Sequence, residues 1–256
     1  MPAEDVALLR RRFVALSAQY EARLGERREH IVLKRDHSLR VHALATAIAR
    51  AEAVPDLQPY RIAALVHDIG RFPQFEQYGT YRDDQSADHG DLGAEMLEGG
   101  DFLDGIDAGL RLLVASVVRL HNKRDVPVGL DSLTHSVLTV VRDADKLDIV
   151  PVVLSKLQPG GLRDEVVTLG LRDAPGGWSP DILEAVERGG NPSYSELRFV
   201  NDFKLLLASW GPKLVHAASR KMYLRRHYLD QLFALLPENR DFVRVKKVLL
   251  ARLQAS

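Results

Sequence analysis

The chain has 256 residues, enough for one large helical domain or two small ones with a buried core. Its 35 acidic and 35 basic residues balance, which excludes a global field that would attract nucleic acid or anionic lipid. The absence of cysteine excludes disulfide frameworks, thiolate zinc sites and cysteine nucleophiles. Neither a signal peptide nor an apolar run of about eighteen residues is present, so we expect a cytoplasmic protein without a membrane partner.

Apolar residues recur at intervals of three and four along the chain, which predicts a nearly all-helical protein. In chain order, we expect helices over residues 4–24, 28–51, 59–69, 90–98, 106–121 and 132–154, and a helical region from about 179 to 253. Residues 71–90 are expected to form a long polar and aromatic connection, of the kind that often carries function. Residues 158–178 contain two Gly-Gly pairs and two prolines and are expected to form a linker.

Two basic clusters stand out, Arg10-Arg11-Arg12 and Arg220-Lys221 followed by Arg225-Arg226. Both lie in stretches with apolar residues at helical spacing. A charge run of this kind usually forms the solvated face of a helix. We predict that role for both clusters, rather than a site for a polyanion.

Four of the nine histidines lie on apolar helix faces or at helix ends. His37 shares a face with Val41 and Ile48, and His67-Asp68 closes the apolar run IAALVHDIG. The other two follow the same pattern: His89 precedes Leu92 and Met96 at helical spacing, and His121 ends LLVASVVRLH. Asp145 lies on the face of Leu138 and Val141.

A single inward histidine is more often a hydrogen-bonded core residue than a ligand, and a single aspartate is usually solvated. Burying several such groups separately is costly, so their gathering near helix ends favours a shared cation. The remaining histidines are assigned structural roles: His30, His42, His135, His216 and His227.

The motifs HSLRV, HDIGRF, DH, HNK and RDADKLD, in this order, resemble the HD-domain superfamily of metal-dependent phosphohydrolases. The resemblance covers about residues 29–157. It implies an all-α HD-domain helical bundle with additional carboxy-terminal helices, about residues 178–256, in a single helical domain over 1–256. Histidines between the HD doublet and the distant aspartate are similar to those of the branches that hold two metals.

Two ligand positions have a competitor nearby. Asp143 lies two residues from Asp145, but the superfamily's aspartate is followed by Lys or Arg and Leu, which selects Asp145. His42 competes with His37, and the match again favours His37. Asp143 and Asp148 then become candidates for contacts behind the ligands or with substrate.

The resemblance implies that His37, His67 and Asp145 bind one ion and that His89 and His121 bind the other. Asp68 would bridge the two ions, because a carboxylate has two oxygens. Imidazole and carboxylate ligands suit Mn, Fe, Co, Ni, Zn or Mg. A metal-bridging hydroxide would then attack a phosphoester or phosphoanhydride of a small, nucleotide-like substrate.

Three cations lie close in sequence to the proposed ligands and can neutralise phosphate oxygens: Arg71, Lys123 and Lys146. With Asp68 they form the predicted catalytic set. Salt bridges to nearby aspartates are an equally good role for each cation.

Two other functions stay open. The same six ligands resemble those of di-iron oxygenases of the HD fold, which act on small phosphonates or polyols. A metal-stabilised binding module is disfavoured, because a structural site needs neither two metals nor an open coordination position. The missing GYP extension disfavours a cyclic dinucleotide as substrate.

Overall fold

The computed structural model describes residues 2–157 and 168–255, with side chains from residue 5 onward. Within these residues the chain is helical, and an isolated bridge between Arg172 and Phe199 is the only extended pairing. The predicted all-α class is confirmed. The α-helices are α1 (Pro2–Leu24), α2 (Arg28–Ala51), α3 (Gln58–Val66), α4 (Arg71–Tyr78), α5 (His89–Gly99), α6 (Ala108–Leu120), α7 (Ser132–Leu157), α8 (Pro180–Glu187), α9 (Val200–Trp210), α10 (Ala217–Arg225), α11 (Tyr228–Ala234) and α12 (Arg240–Ala255).

The expectation of one long connection over residues 71–90 is wrong for its first half, which forms α4. Phe72 and Phe75, three positions apart, are buried on one face of this helix. Pro73 lies in the first turn, where a proline is tolerated because its missing N–H has no helical partner. The left-handed Gly79, with φ of 66°, ends the helix.

Residues 1–148 form one compact unit. In it α2 packs on α1, α3 and α4, while α5 packs on α4 and α6, and α6 packs on α3. The hydroxyls of Tyr60 on α3 and Ser136 on α7 form a hydrogen bond of 2.8 Å. These contacts bring the helix ends that carry histidine together.

Gly70, in the turn between α3 and α4, is a point of close approach. A Cβ atom there would lie 2.1 Å from the carbonyl oxygen of His89 and 2.6 Å from the amide nitrogen of Gly93. No side chain fits that space. Glycine at this position therefore lets the start of α5 lie directly against the turn that follows α3.

Residues 149–256 form the second compact unit. Every residue of its α9 is buried. Asp202 is fully buried, and its carboxylate accepts hydrogen bonds from the backbone amides of Ser179, Arg198 and Phe199. These bonds offset the cost of burying the charge. The prediction of a single domain stays a prediction.

The expected linker lies partly outside the described residues, since 158–167 are not among them. Across the two described stretches, no helix combines the length and apolar character needed to span a bilayer.

Candidate metal centre

The candidate centre lies in the first unit, where the ends of several helices meet. His37 is on α2, and His67 and Asp68 directly follow α3. His89 is the first residue of α5, and His121 directly follows α6. Asp145, on α7, completes the six residues predicted as ligands; its side chain is 21% exposed and the others are buried.

The first group of donor atoms involves His37, His67, Asp145 and one oxygen of Asp68. The two Nε2 atoms of His37 and His67 lie 3.3 Å apart. Asp145 Oδ1 lies 3.1 Å from His37 Nε2 and 3.7 Å from His67 Nε2. Asp68 Oδ2 lies 3.6 Å and 3.8 Å from the same two nitrogens. These atoms surround one point.

The second group involves His89, His121 and the other oxygen of Asp68. The Nε2 atoms of His89 and His121 lie 3.1 Å apart. Asp68 Oδ1 lies 3.3 Å from the first and 3.6 Å from the second. Asp68 therefore directs a different oxygen toward each histidine pair, the arrangement expected of a bridging carboxylate.

Two of the rings are held by carbonyls of their own helices. His67 Nδ1 donates to the carbonyl of Ala64 at 2.9 Å, and His121 Nδ1 donates to that of Val118 at 2.7 Å. A carbonyl only accepts, so the proton of each ring is on Nδ1 and Nε2 carries a lone pair. Both lone pairs point into the cluster.

The other two rings are held by carboxylates. His37 Nδ1 donates to Asp148 Oδ2 at 2.7 Å, and His89 Nδ1 donates to Asp83 Oδ2 at 2.8 Å. Metal-binding histidines usually donate their second ring N–H to a partner of this kind. The Nε2 atoms of the four rings thus face one another in two pairs, at 3.3 and 3.1 Å, a donor set that fits divalent cations.

The charges of the cluster support this fit. Burial opposes ionisation of Asp68, yet the positive charge of Lys34 beside it holds its pKa well below the usual range. Burial likewise opposes ionisation of Asp145, and the hydrogen bond from His37 keeps its pKa well below the usual range. Both carboxylates are therefore ionised in the neutral pH range.

The histidines differ in their affinity for protons. Burial lowers the pKa of His121 to about 4. Burial acts in the same direction on His37, but hydrogen bonds with Asp145 and Asp148 outweigh it and raise the pKa of His37. Protons therefore compete with a metal more strongly at His37 than at His121.

Lys34 is a functional candidate that sequence analysis missed. Its Nζ donates to Asp68 Oδ2 at 2.7 Å and lies 5.3 Å from the centre of the Tyr81 ring. Lys34 precedes His37 by three positions, so the two lie on one face of α2. That spacing is the signal that could have identified it.

Asp83 was also missed. Besides His89, its carboxylate accepts hydrogen bonds from Arg71 Nη1 at 3.0 Å and Gln74 Nε2 at 2.8 Å. Burial would raise its pKa, but the hydrogen bond with His89 and the charge of Arg71 lower it. The sequence places Asp83 within a run of polar residues, with nothing to distinguish it from Asp84.

The three predicted cations lie in different surroundings. Arg71 Nη1 also donates to Gln74 Oε1 and the carbonyl of Tyr81, and its Nε lies 3.5 Å from Asp68 Oδ1. Burial lowers the pKa of Lys146. Among the residues that the structure describes, Lys146 forms no hydrogen bond or ion pair.

Lys123 has carboxylate partners at two positions. Its Nζ lies 2.7 Å from Asp88 Oδ2 and 3.0 Å from Asp91 Oδ2. This is the salt-bridge arrangement that sequence analysis left open. A role of Lys123 toward substrate stays a prediction, and such a role would compete with these two ion pairs.

His42, the competitor of His37, has a backbone partner on α3. His42 Nδ1 donates to the carbonyl of Arg61 at 2.9 Å. His30, assigned a structural role, packs its ring 4.4 Å from that of Phe75. Asp143 is buried on α7, two residues from Asp145.

Comparison with known proteins gives one family. Residues 35–149 match the family model described as HD domain, a segment that includes all six predicted ligands. No curated protein and no solved structure gives a significant match.

Proposed function

We propose that this chain, whose residues 35–149 match the HD domain, is a phosphohydrolase that cleaves a phosphoester or phosphoanhydride of a small, nucleotide-like molecule. Proteins with this domain are in general metal-dependent hydrolases, and two buried His/Asp groups of this chain can hold metal ions. We propose that two divalent ions bind here. Their identity is among Mn, Fe, Co, Ni, Zn and Mg.

The observation that carries the proposal is the orientation of Asp68. Its Oδ2 faces the pair of His37 and His67, and its Oδ1 faces the pair of His89 and His121. Asp145 would complete the ligands of the first ion. When bound, a pair of divalent ions polarises a phosphoryl oxygen and lowers the pKa of a coordinated water.

The cations around Asp68 favour a negatively charged substrate. Lys34 Nζ lies 2.7 Å from Asp68 Oδ2, and Arg71 Nε lies 3.5 Å from Asp68 Oδ1. Phosphoryl transfer requires mainly positioning and charge compensation from the protein. We propose that Lys34 and Arg71 orient the phosphate, and that Lys146 adds positive charge nearby.

The proposal is tested with purified protein loaded with Mn or Co under anaerobic conditions. We expect release of nitrophenol from a nitrophenyl phosphate, and its loss in Asp68→Asn. The matched control is Asp125→Asn, which makes the same change at an exposed residue outside the cluster. Equal rates in Asp68→Asn and Asp125→Asn would contradict the proposal.

The same experiment distinguishes the alternative chemistry. Activity that requires reduced iron and consumes oxygen, with no anaerobic phosphate release, would instead indicate a di-iron oxygenase of the HD fold. The substrate would then be a small phosphonate or polyol. Such an outcome overturns the hydrolase proposal while leaving the metal ligands in place.

A further inference from the structure

A groove of about 680 Å³ lies in the first unit, along α1, α2 and α3. Val6, Val14 and three alanines of α1 form its apolar wall. None of the residues of the candidate metal centre lines it. Its size falls within the range of about 300–1,000 Å³ that is usual for small-molecule sites.

The polar lining of the groove is entirely basic. Arg10 and Arg11 contribute positive charge from α1 and Arg61 from α3, whereas burial lowers the pKa of His42 on α2; no carboxylate is among the lining residues. Because the chain as a whole is neutral, this concentration of positive charge is local. A groove with this lining is complementary to an anion.

The structure separates the arginines of the first basic cluster. Arg12 Nη1 donates to the carbonyls of Phe102 and Asp104 at 2.8 and 2.9 Å. Arg10 and Arg11 are exposed and form no hydrogen bond or ion pair with any residue that the structure describes. The predicted solvated face therefore describes Arg10 and Arg11, whose guanidinium groups lie beside the groove. Arg12 instead has a structural role.

Arg61 adds a buried donor. Its Nε is shielded from solvent and has no hydrogen-bond partner among the described side chains and backbone. Its backbone carbonyl accepts from His42 Nδ1, which fixes the ring beside it. Arg61 lines the groove beside that ring, so its guanidinium group adds to the positive charge there.

We propose that this groove binds a small organic anion, held at its charged end by Arg10, Arg11 and Arg61 and at its apolar body by Val6 and Val14. The guanidinium group matches the planar oxygen pair of a phosphate, sulfonate or carboxylate. The apolar wall would contact the apolar part of the ligand. This site is separate from the centre proposed for hydrolysis.

The probe is anilinonaphthalene sulfonate, an aromatic anion whose fluorescence rises on binding. Titration of the full chain should reveal one saturable site, and Arg10→Glu should weaken it by roughly tenfold or more, because one charge-assisted contact becomes repulsive. The matched control is Arg28→Glu, the same charge reversal at an exposed residue of α2 that does not line the groove. That variant should bind as the unmodified chain does.

Two further measurements locate the probe. Phenyl phosphate should displace it at lower concentration than inorganic phosphate, because only the former has an apolar body. Asp68→Asn should bind the probe normally, even if the hydrolase proposal fails. Probe binding lost in Asp68→Asn but kept in Arg10→Glu would place the probe at the metal centre and overturn the inference.

Equal weakening in Arg10→Glu and Arg28→Glu would show a general charge effect and would also overturn it. Circular dichroism checks that each variant keeps its helices. Should Arg10→Glu fail to fold, Arg10→Gln removes the charge without reversing it, and unchanged probe affinity in that variant contradicts the proposal.

Discussion

At the residue scale, the orientation of the candidate ligands depends on side chains that are not themselves ligands. Asp148 accepts the Nδ1–H of His37, and Asp83 accepts that of His89. Carboxylates in this position fix the ring and raise the basicity of its other nitrogen. Each histidine pair therefore has one ring held by a carboxylate. That carboxylate can be removed by substitution without changing a metal ligand.

Replacing Asp83 with Ala should lower the affinity for the ion at His89 and His121 by roughly 10–100-fold. The ion at His37 should be unaffected, because Asp148 still holds that ring. Equilibrium dialysis with elemental analysis measures both equivalents. Asp84→Ala, the same change at the exposed neighbour, is the control, and equal loss of both ions in Asp83→Ala would contradict the assignment.

Lys34 and Lys123 allow a comparison between a lysine inside the candidate metal centre and a lysine beside it. Lys34 donates to Asp68 inside the cluster, whereas Lys123 is shared by Asp88 and Asp91. We expect Lys34→Ala to lower turnover more than Lys123→Ala does. The ion pairs of Lys123 are partly exposed, so their loss should cost at most about 1 kcal/mol each.

Initial rates and thermal melts of both variants measure these effects. A larger kinetic loss in Lys123→Ala, with an unchanged melting temperature, would instead assign the substrate contact to Lys123.

The two ions should differ in their response to pH. The raised pKa of His37 means that a proton competes with metal as the pH falls toward and below the ordinary histidine value of about 6.5. His121, with a pKa of about 4, stays neutral over that range. The ion at His37 should therefore lose more affinity between about pH 8 and pH 6 than the ion at His121.

Metal titrations at the two pH values, in His89→Ala for the first ion and His37→Ala for the second, test this difference. Identical pH dependence of the two ions would contradict it.

At the element scale, the apolar faces of the predicted helices indicated where the metal ligands lie, but not where the carboxylates that hydrogen-bond to them lie. His37 lies on the buried face of α2, whose bounds at residues 28 and 51 match the predicted ones. Asp83 could not be predicted, because its contact with His89 depends on how the segment after α4 returns to the start of α5. That path is set by tertiary packing, which helical periodicity does not describe.

The close approach at Gly70 makes a prediction about that packing. In Gly70→Ala the added Cβ would meet the backbone oxygen of His89 at 2.1 Å, so α5 must move. We expect a loss of roughly 1–3 kcal/mol in the free energy of unfolding and weaker metal binding. Gly99→Ala, where a Cβ meets nothing within 4 Å, is the control.

Chemical denaturation and metal titration of both variants measure these effects. Similar stability of Gly70→Ala and the unmodified chain would show that the turn has room that the structure does not indicate.

At the scale of the whole molecule, composition and periodicity were sufficient for the all-α class, because helical spacing of apolar residues persists along most of the chain. They predicted a linker over residues 158–178, whereas the two compact units divide between residues 148 and 149. The boundary falls inside α7, where the sequence has no break in helical pattern apart from Pro151. A continuous helix gives no compositional signal of a boundary.

Metal should stabilise the protein without being required for folding. The buried apolar core of the first unit does not involve the candidate ligands, so the metal-free chain should remain helical. Saturating Mn or Co should raise the melting temperature in proportion to the logarithm of metal concentration. Asp68→Asn should lose this response, and a metal-free chain without helical circular dichroism would contradict the prediction.

The carbonyl partners of His67 and His121 tie ligand geometry to the order of single helical turns. Each ring is hydrogen-bonded to a residue three positions earlier, in the last turn of its own helix. Fraying of that turn releases the ring and its acceptor together. Metal binding and fraying at these two helix ends are therefore coupled. A bound ion lowers the population of frayed conformers, and fraying lowers the apparent affinity of the protein for metal.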